Sequence, residues 1–192
     1  EQFTRADQGI LSQYVAGEVG EITLTKKTKV WDNYKSDYRP LVEIAKEQSL
    51  PVIAANAPRD IVKCIGRQGP QYLSKLSTQQ RALVANTIDI SDSPYRQKFL
   101  SNMRGMSLNE KRIGQMFGAQ MAWDATMAES IANHLTNNPN HRVFHIAGRF
   151  HIMNGLGTGA ELKKLKPHVN IVNITATMAQ EKSEIQDYQL II

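Results

Sequence analysis

The chain has 192 residues, a formal net charge of +5 and 41% hydrophobic residues, which suits one domain with a buried core. Its lone cysteine, Cys64, excludes an intrachain disulfide framework and a cysteine-rich metal site. Basic residues come in short pairs, Lys26-Lys27 and Lys163-Lys164, so nucleic acid is not expected as a partner; no apolar run reaches membrane-spanning length.

Taken in chain order, the sequence opens as loop, helix and loop. A helix is predicted over Pro40–Ser49, where Leu41, Ile44 and Ala45 recur at helical spacing behind a first-turn proline. Leu50-Pro51 breaks it. Val52-Ile53-Ala54-Ala55 is continuously apolar and reads as a strand buried on both faces, ending at Asn56-Ala57-Pro58-Arg59. About 60–115 reads as a helical insertion, with Ser77 and Gln80 forming a capping pair and Ser91-Asp92-Ser93-Pro94 starting another helix. A long helix follows over Asn109–Leu135, before the breaker Asn137-Asn138-Pro139-Asn140. Strands are then predicted at Arg142–Ala147, Asn170–Thr175 and, as an edge, Asp187–Ile192, with a helix over Ala160–Leu165. Alternating strands and helices imply an α/β domain: a mainly parallel sheet flanked by helices, with a helical cap.

Several side chains stand where such a sheet would carry chemistry. Gly148 and His151 follow the 142–147 strand, and ligands of open α/β sheets bind beyond the carboxyl ends of strands. Gly148 would let the backbone turn there, and His151 supplies a titratable, metal-capable group. Asn56 and Arg59 end the 52–55 strand, where Arg59 either clamps a carboxylate or satisfies a surface loop. Gln120 and Asp124 share one helix face, aimed at the crevice or forming its solvated edge. His141 and His145 have a zinc-like spacing but run into a strand, which argues against zinc there. Gly155-Leu156-Gly157-Thr158-Gly159 is a weak dinucleotide pattern and reads better as a tight helix start. Tyr38 precedes the helix predicted over Pro40–Ser49, and a phenolate can ligate ferric haem iron.

In order along the chain, Glu1-Gln2-Phe3-x-x-x-x-Gln8, Tyr38-Arg39-Pro40-Leu41, Pro51 to Arg59, Gln120-x-x-x-Asp124-x-x-Met127-Ala128 and Gly148-x-x-His151 followed by Gly155-x-Gly157 resemble the haem-binding ChaN-like family of the Tiki/TraB/erythromycin-esterase superfamily. The resemblance implies an α/β sheet with a helical cap and an envelope lipoprotein of haem or iron uptake. That places it on the periplasmic side of the outer membrane, with haem as ligand and an outer-membrane receptor as partner. It also implies a homodimer pairing two haems. Gly148 and His151 match the second of two family Gly-x-x-His motifs, and Glu1 matches a glutamate ending the family's second strand. The earlier Gly-x-x-His would precede Glu1 and is expected in the native protein.

The expected site therefore comprises Tyr38, His151, Arg59, Asn56, Gly148, Gln120, Asp124 and Glu1, with Tyr38 or His151 on the iron and Arg59 on a propionate. The rival expectation, from other branches of the superfamily, is a hydrolase using Glu1 and His151. More weight falls on a binding protein than on an enzyme.

Overall fold

The computed structural model describes residues 1–103, 106–177 and 188–191. Its axis is a helix of 28 residues, α7 (Glu110–Asn137), whose N-terminus is capped by Asn109 accepting from the Arg112 N–H at 2.8 Å. At ~1.5 Å per residue it is roughly 42 Å long. Its buried side chains Phe117, Met121, Asp124, Ala125, Ala128 and Ala132 recur at helical spacing, and the small ones let neighbours come close.

Before it come α1 (Gln8–Val15), α2 (Glu21–Thr28), α3 (Arg39–Glu47), α4 (Arg59–Gln68), α5 (Thr78–Arg81) and α6 (Pro94–Asn102); α8 (Thr158–Leu165) follows. The predicted cap at Ser77 is present, and the helix start read at 91–94 is capped by Ser93. Gln80 N–H donates to the Ser77 hydroxyl and Arg96 N–H to the Ser93 hydroxyl. The first three helices enclose Phe3, Leu11, Tyr14, Leu24, Tyr34 and Val42. Helices α4 and α8 pack on α7, and Tyr95 and Phe99 of α6 stack on Phe117. Among the described residues no helix is long and apolar enough to cross a membrane.

The expected mainly parallel sheet does not form. The named strands among the described residues are β1 (Ile174–Thr177) and β2 (Tyr188–Ile191), paired in parallel with Ile174 opposite Tyr188. β1 shares only Ile174 and Thr175 with the predicted 170–175 strand, whose first four residues are not strand, and β2 falls within the predicted 187–192 edge; Asp187 and Ile192 are outside the described residues. Segments 52–55 and 142–147 are extended but are not strands.

The hydrogen bonds explain why. Beside Val52–Ala55, the Gln8 side chain takes the place of a strand neighbour: its Oε1 accepts from Ala54 N–H at 2.8 Å and its Nε2 donates to Val52 O at 2.9 Å. Two residues on, at Asn56, there is one parallel bridge among the described residues, to Thr4, with Asn56 N–H donating to Phe3 O and Arg5 N–H to Asn56 O. The ladder stops there because the chain coils at Arg5–Asp7, where Asp7 accepts from both the Thr4 N–H and hydroxyl at 2.8 Å. The 142–147 segment meets the start of the chain through Glu1 N–H on Ile146 O at 2.8 Å. The apolar runs thus pack on helices only in part: Ala54 is buried in the α1–α3 core, while Val143 and Ile171 are half-buried against α7 and α8.

Candidate functional site

Asp124 lies on the inward face of α7 with its side chain fully buried. A buried carboxylate needs donors, and four converge on it. Tyr95 of α6 donates its hydroxyl at 2.7 Å and Gln120 its amide at 3.1 Å, both to Oδ2. Thr158, first residue of α8, donates to Oδ1 at 2.8 Å, and the His151 Nδ1–H donates to the same oxygen at 2.9 Å. Gln120 also donates to the Tyr95 oxygen at 2.9 Å. Since Nδ1 spends its proton on Asp124, the 3.2 Å approach of the Gln120 amide to it is a contact between donors.

The other face of the imidazole meets Glu1, with Nε2 3.4 Å from Oε1. Glu1 Oε2 accepts from the Gly148 N–H at 2.5 Å, and Asn56 Nδ2 donates to Glu1 O at 2.9 Å. Burial alone would lower the His151 pKa; hydrogen bonds and charge from Asp124 and Glu1 outweigh it and raise the value from 6.5 to about 9. For Glu1, burial would raise the pKa, but the His151 and Gly148 hydrogen bonds prevail and hold it at about 2. Burial, then the Asp124 charge, push the Tyr95 phenol well above its ordinary range. At neutral pH His151 is therefore an imidazolium between two carboxylates.

The glycine this cluster requires is Gly157. Its φ is +58°, and an added Cβ would lie 2.4 Å from His151 O and 2.9 Å from Asp124 Oδ1. Gly148 has φ −56°, which any residue adopts, so the turn expected of it needs no glycine; its contribution is the N–H on Glu1.

The structure thus brings Glu1, Asn56, Gln120, Asp124, Gly148 and His151 into one hydrogen-bonded cluster. Arg59 stands apart, exposed at the first residue of α4. Tyr38 lies on the wall of a groove of about 690 Å³, which Glu1 also lines. This volume is typical of ligand sites, which span roughly 300–1,000 Å³. The groove runs between α3, the end of α7 and the extended segments near Phe3, Ile53 and Ile146. Its apolar side chains are unusually open: Leu41, Ile44, Leu50 and Phe144 are 38%, 54%, 52% and 80% exposed. Tyr38 is half-buried and packs edge-on against Trp31, with ring centroids 5.5 Å apart. Its phenol holds its proton above the ordinary range because of burial, then the Glu1 and Asp37 carboxylates.

Gln2, His134, His141, Arg142 and His145 complete the polar lining. The His145 Nε2 is buried without a hydrogen-bond partner among the described residues, and burial keeps this ring neutral, with its pKa lowered to about 3. No cluster of three or more metal-ligating side chains occurs among the described residues.

Tyr95, Thr158, Gly157, His134 and Arg142 were missed as site residues by sequence reasoning. Only the capped helix starts at Ser93 and Gly157 lay close enough to mark any of them.

A family sequence model described as haem-binding uptake, Tiki superfamily, ChaN, matches residues 1–162. No curated protein and no solved structure matches the chain significantly.

Proposed function

Because this chain belongs to the ChaN family of haem-binding uptake proteins in the Tiki superfamily, we propose that it binds haem in the groove beside Tyr38. The observation that carries the reading is the set of large apolar side chains left open around one phenol. Leu41, Ile44, Leu50 and Phe144 suit a flat apolar macrocycle, and nothing else among the described residues covers them. Arg142 on the same wall suits a propionate. The residues present therefore fit the group.

Tyr38 is the iron contact in this reading, since a phenolate is a known ligand of ferric haem and both His151 nitrogens are engaged by carboxylates. Bound haem supplies a ferric centre whose charge offsets the cost of removing the phenolic proton. Glu1, clamped by Gly148 and His151, forms the polar end of the groove and couples it to the buried cluster. The Asp124–His151–Glu1 arrangement accordingly serves to fix one groove wall. An open groove leaves part of the macrocycle in water, and a second chain would cover it, which makes dimerisation linked to haem.

The test is a hemin titration followed by visible absorbance and elution mass together, on the wild type and on Ile44→Ser. Saturable binding at one haem per chain, an increase in mass on loading and weaker binding by the variant support the reading. Non-saturating absorbance that the variant reproduces would overturn it.

A further inference from the structure

We propose that His134 and His141 form a two-nitrogen chelate for a divalent first-row transition-metal ion, Cu²⁺ in preference to Ni²⁺ or Zn²⁺, at the mouth of the groove. The observation is independent of haem and of Tyr38. His134 Nε2 and His141 Nδ1 lie 3.1 Å apart, with ring centroids 5.2 Å apart and planes tilted by 44°. With metal–nitrogen bonds of roughly 2.0–2.1 Å, two cis ligands sit about 2.9 Å apart at a right angle and about 3.3 Å apart at the tetrahedral angle. The observed separation falls between the two.

The backbone holds this spacing. His134 is in the last turn of α7, and its carbonyl accepts from both the Asn138 N–H at 2.9 Å and the Asn138 side-chain amide at 3.0 Å. His141 N–H then donates to Asn138 O at 3.0 Å, which folds the turn back over the helix end. Two imidazoles on a clamped turn lose little freedom on binding an ion. The carboxyl end of α7 carries partial negative charge that favours a cation.

His134 is half-buried and His141 exposed, so water can fill the remaining coordination positions. Arg142 beside them works against a cation and limits the affinity. In the metal-free chain one ring donates N–H···N to the other. Binding requires lone pairs from both nitrogens, so the donating ring moves its proton to its other nitrogen and none is lost overall. Imidazole ligands and the Irving–Williams order select Cu²⁺.

The test is calorimetric titration with Cu²⁺ in a non-coordinating buffer at neutral pH, with electron paramagnetic resonance of the loaded chain. The variants are His134→Gln, His141→Gln and, as a control, the exposed His168→Gln; circular dichroism checks that each retains its helices. The expected result is one equivalent of Cu²⁺ with hyperfine structure from two nitrogens. Binding should weaken at least about tenfold in each groove variant and be unchanged in the control. No saturable binding by the wild type, or a loss confined to one of the two groove variants or absent from both, would overturn the chelate.

Discussion

The imidazolium of His151 makes the stability of this chain fall as pH rises, in a defined window. Its pKa is about 9 in the folded state against an ordinary 6.5, so between those values the folded chain holds a proton that the unfolded chain has released. The contribution is therefore complete below pH 6.5 and lost as pH climbs through 9. A shift of this size is worth about 3 kcal/mol at ~1.4 kcal/mol per pH unit. Glu1 works in the opposite direction: held at about 2 against 4.5, it stabilises above pH 4.5 and loses that contribution as pH falls towards 2. The pair is thus at full strength between about pH 4.5 and 6.5. The assay is urea denaturation from pH 5 to 9.5 on the wild type and His151→Gln, taking the difference at each pH. That difference should shrink by about 3 kcal/mol between pH 6.5 and 9.5. A constant difference would refute the burial of an imidazolium between Asp124 and Glu1.

Gly157→Ala forces a Cβ against His151 O and Asp124 Oδ1 at positive φ, and should destabilise the chain by about 2 kcal/mol or more, read as a drop in thermal midpoint. Arg5→Ala removes donors to Ser130 Oγ at 2.8 Å and Thr126 O at 3.1 Å and the ion pair to Glu129, which keeps its two hydrogen bonds from Asn86, at a cost of about 2 kcal/mol in urea denaturation. Phe144→Ala removes a side chain that is 80% exposed, so stability should hold within about 0.5 kcal/mol. The same variant should bind hemin about tenfold more weakly, since burying a Phe is worth roughly 1.5–3 kcal/mol.

The helices were legible because their signals are local. Ser77 and Gln80, Ser93-Pro94, and the apolar spacing along Glu110–Asn137 each act within a few residues. The sheet was misread because a short apolar run can pack against helices without pairing into a sheet. What decides is whether neighbouring backbone is free to pair, and at Ala54 and Val52 the Gln8 side chain had taken that place.

The site divides along the same line. Gln120 and Asp124 are one helical turn apart, and Gly148 and His151 one tight turn apart, so each pair could be read from spacing. Tyr95 and Thr158 reach Asp124 across 29 and 34 residues, and no local pattern encodes those contacts. Arg59 shows the converse: its place after the 52–55 run suggested a clamp, but without a sheet that run has no common carboxyl edge on which to gather it.

The most direct test of the groove as a haem site is the visible and electron paramagnetic resonance spectrum of the hemin complex in wild type and Tyr38→Phe. Phenolate ligation predicts a high-spin ferric signal with a phenolate-to-iron charge-transfer band in the wild type, and loss of that band together with weaker binding in the variant. Identical spectra and affinities in the two proteins would contradict the account.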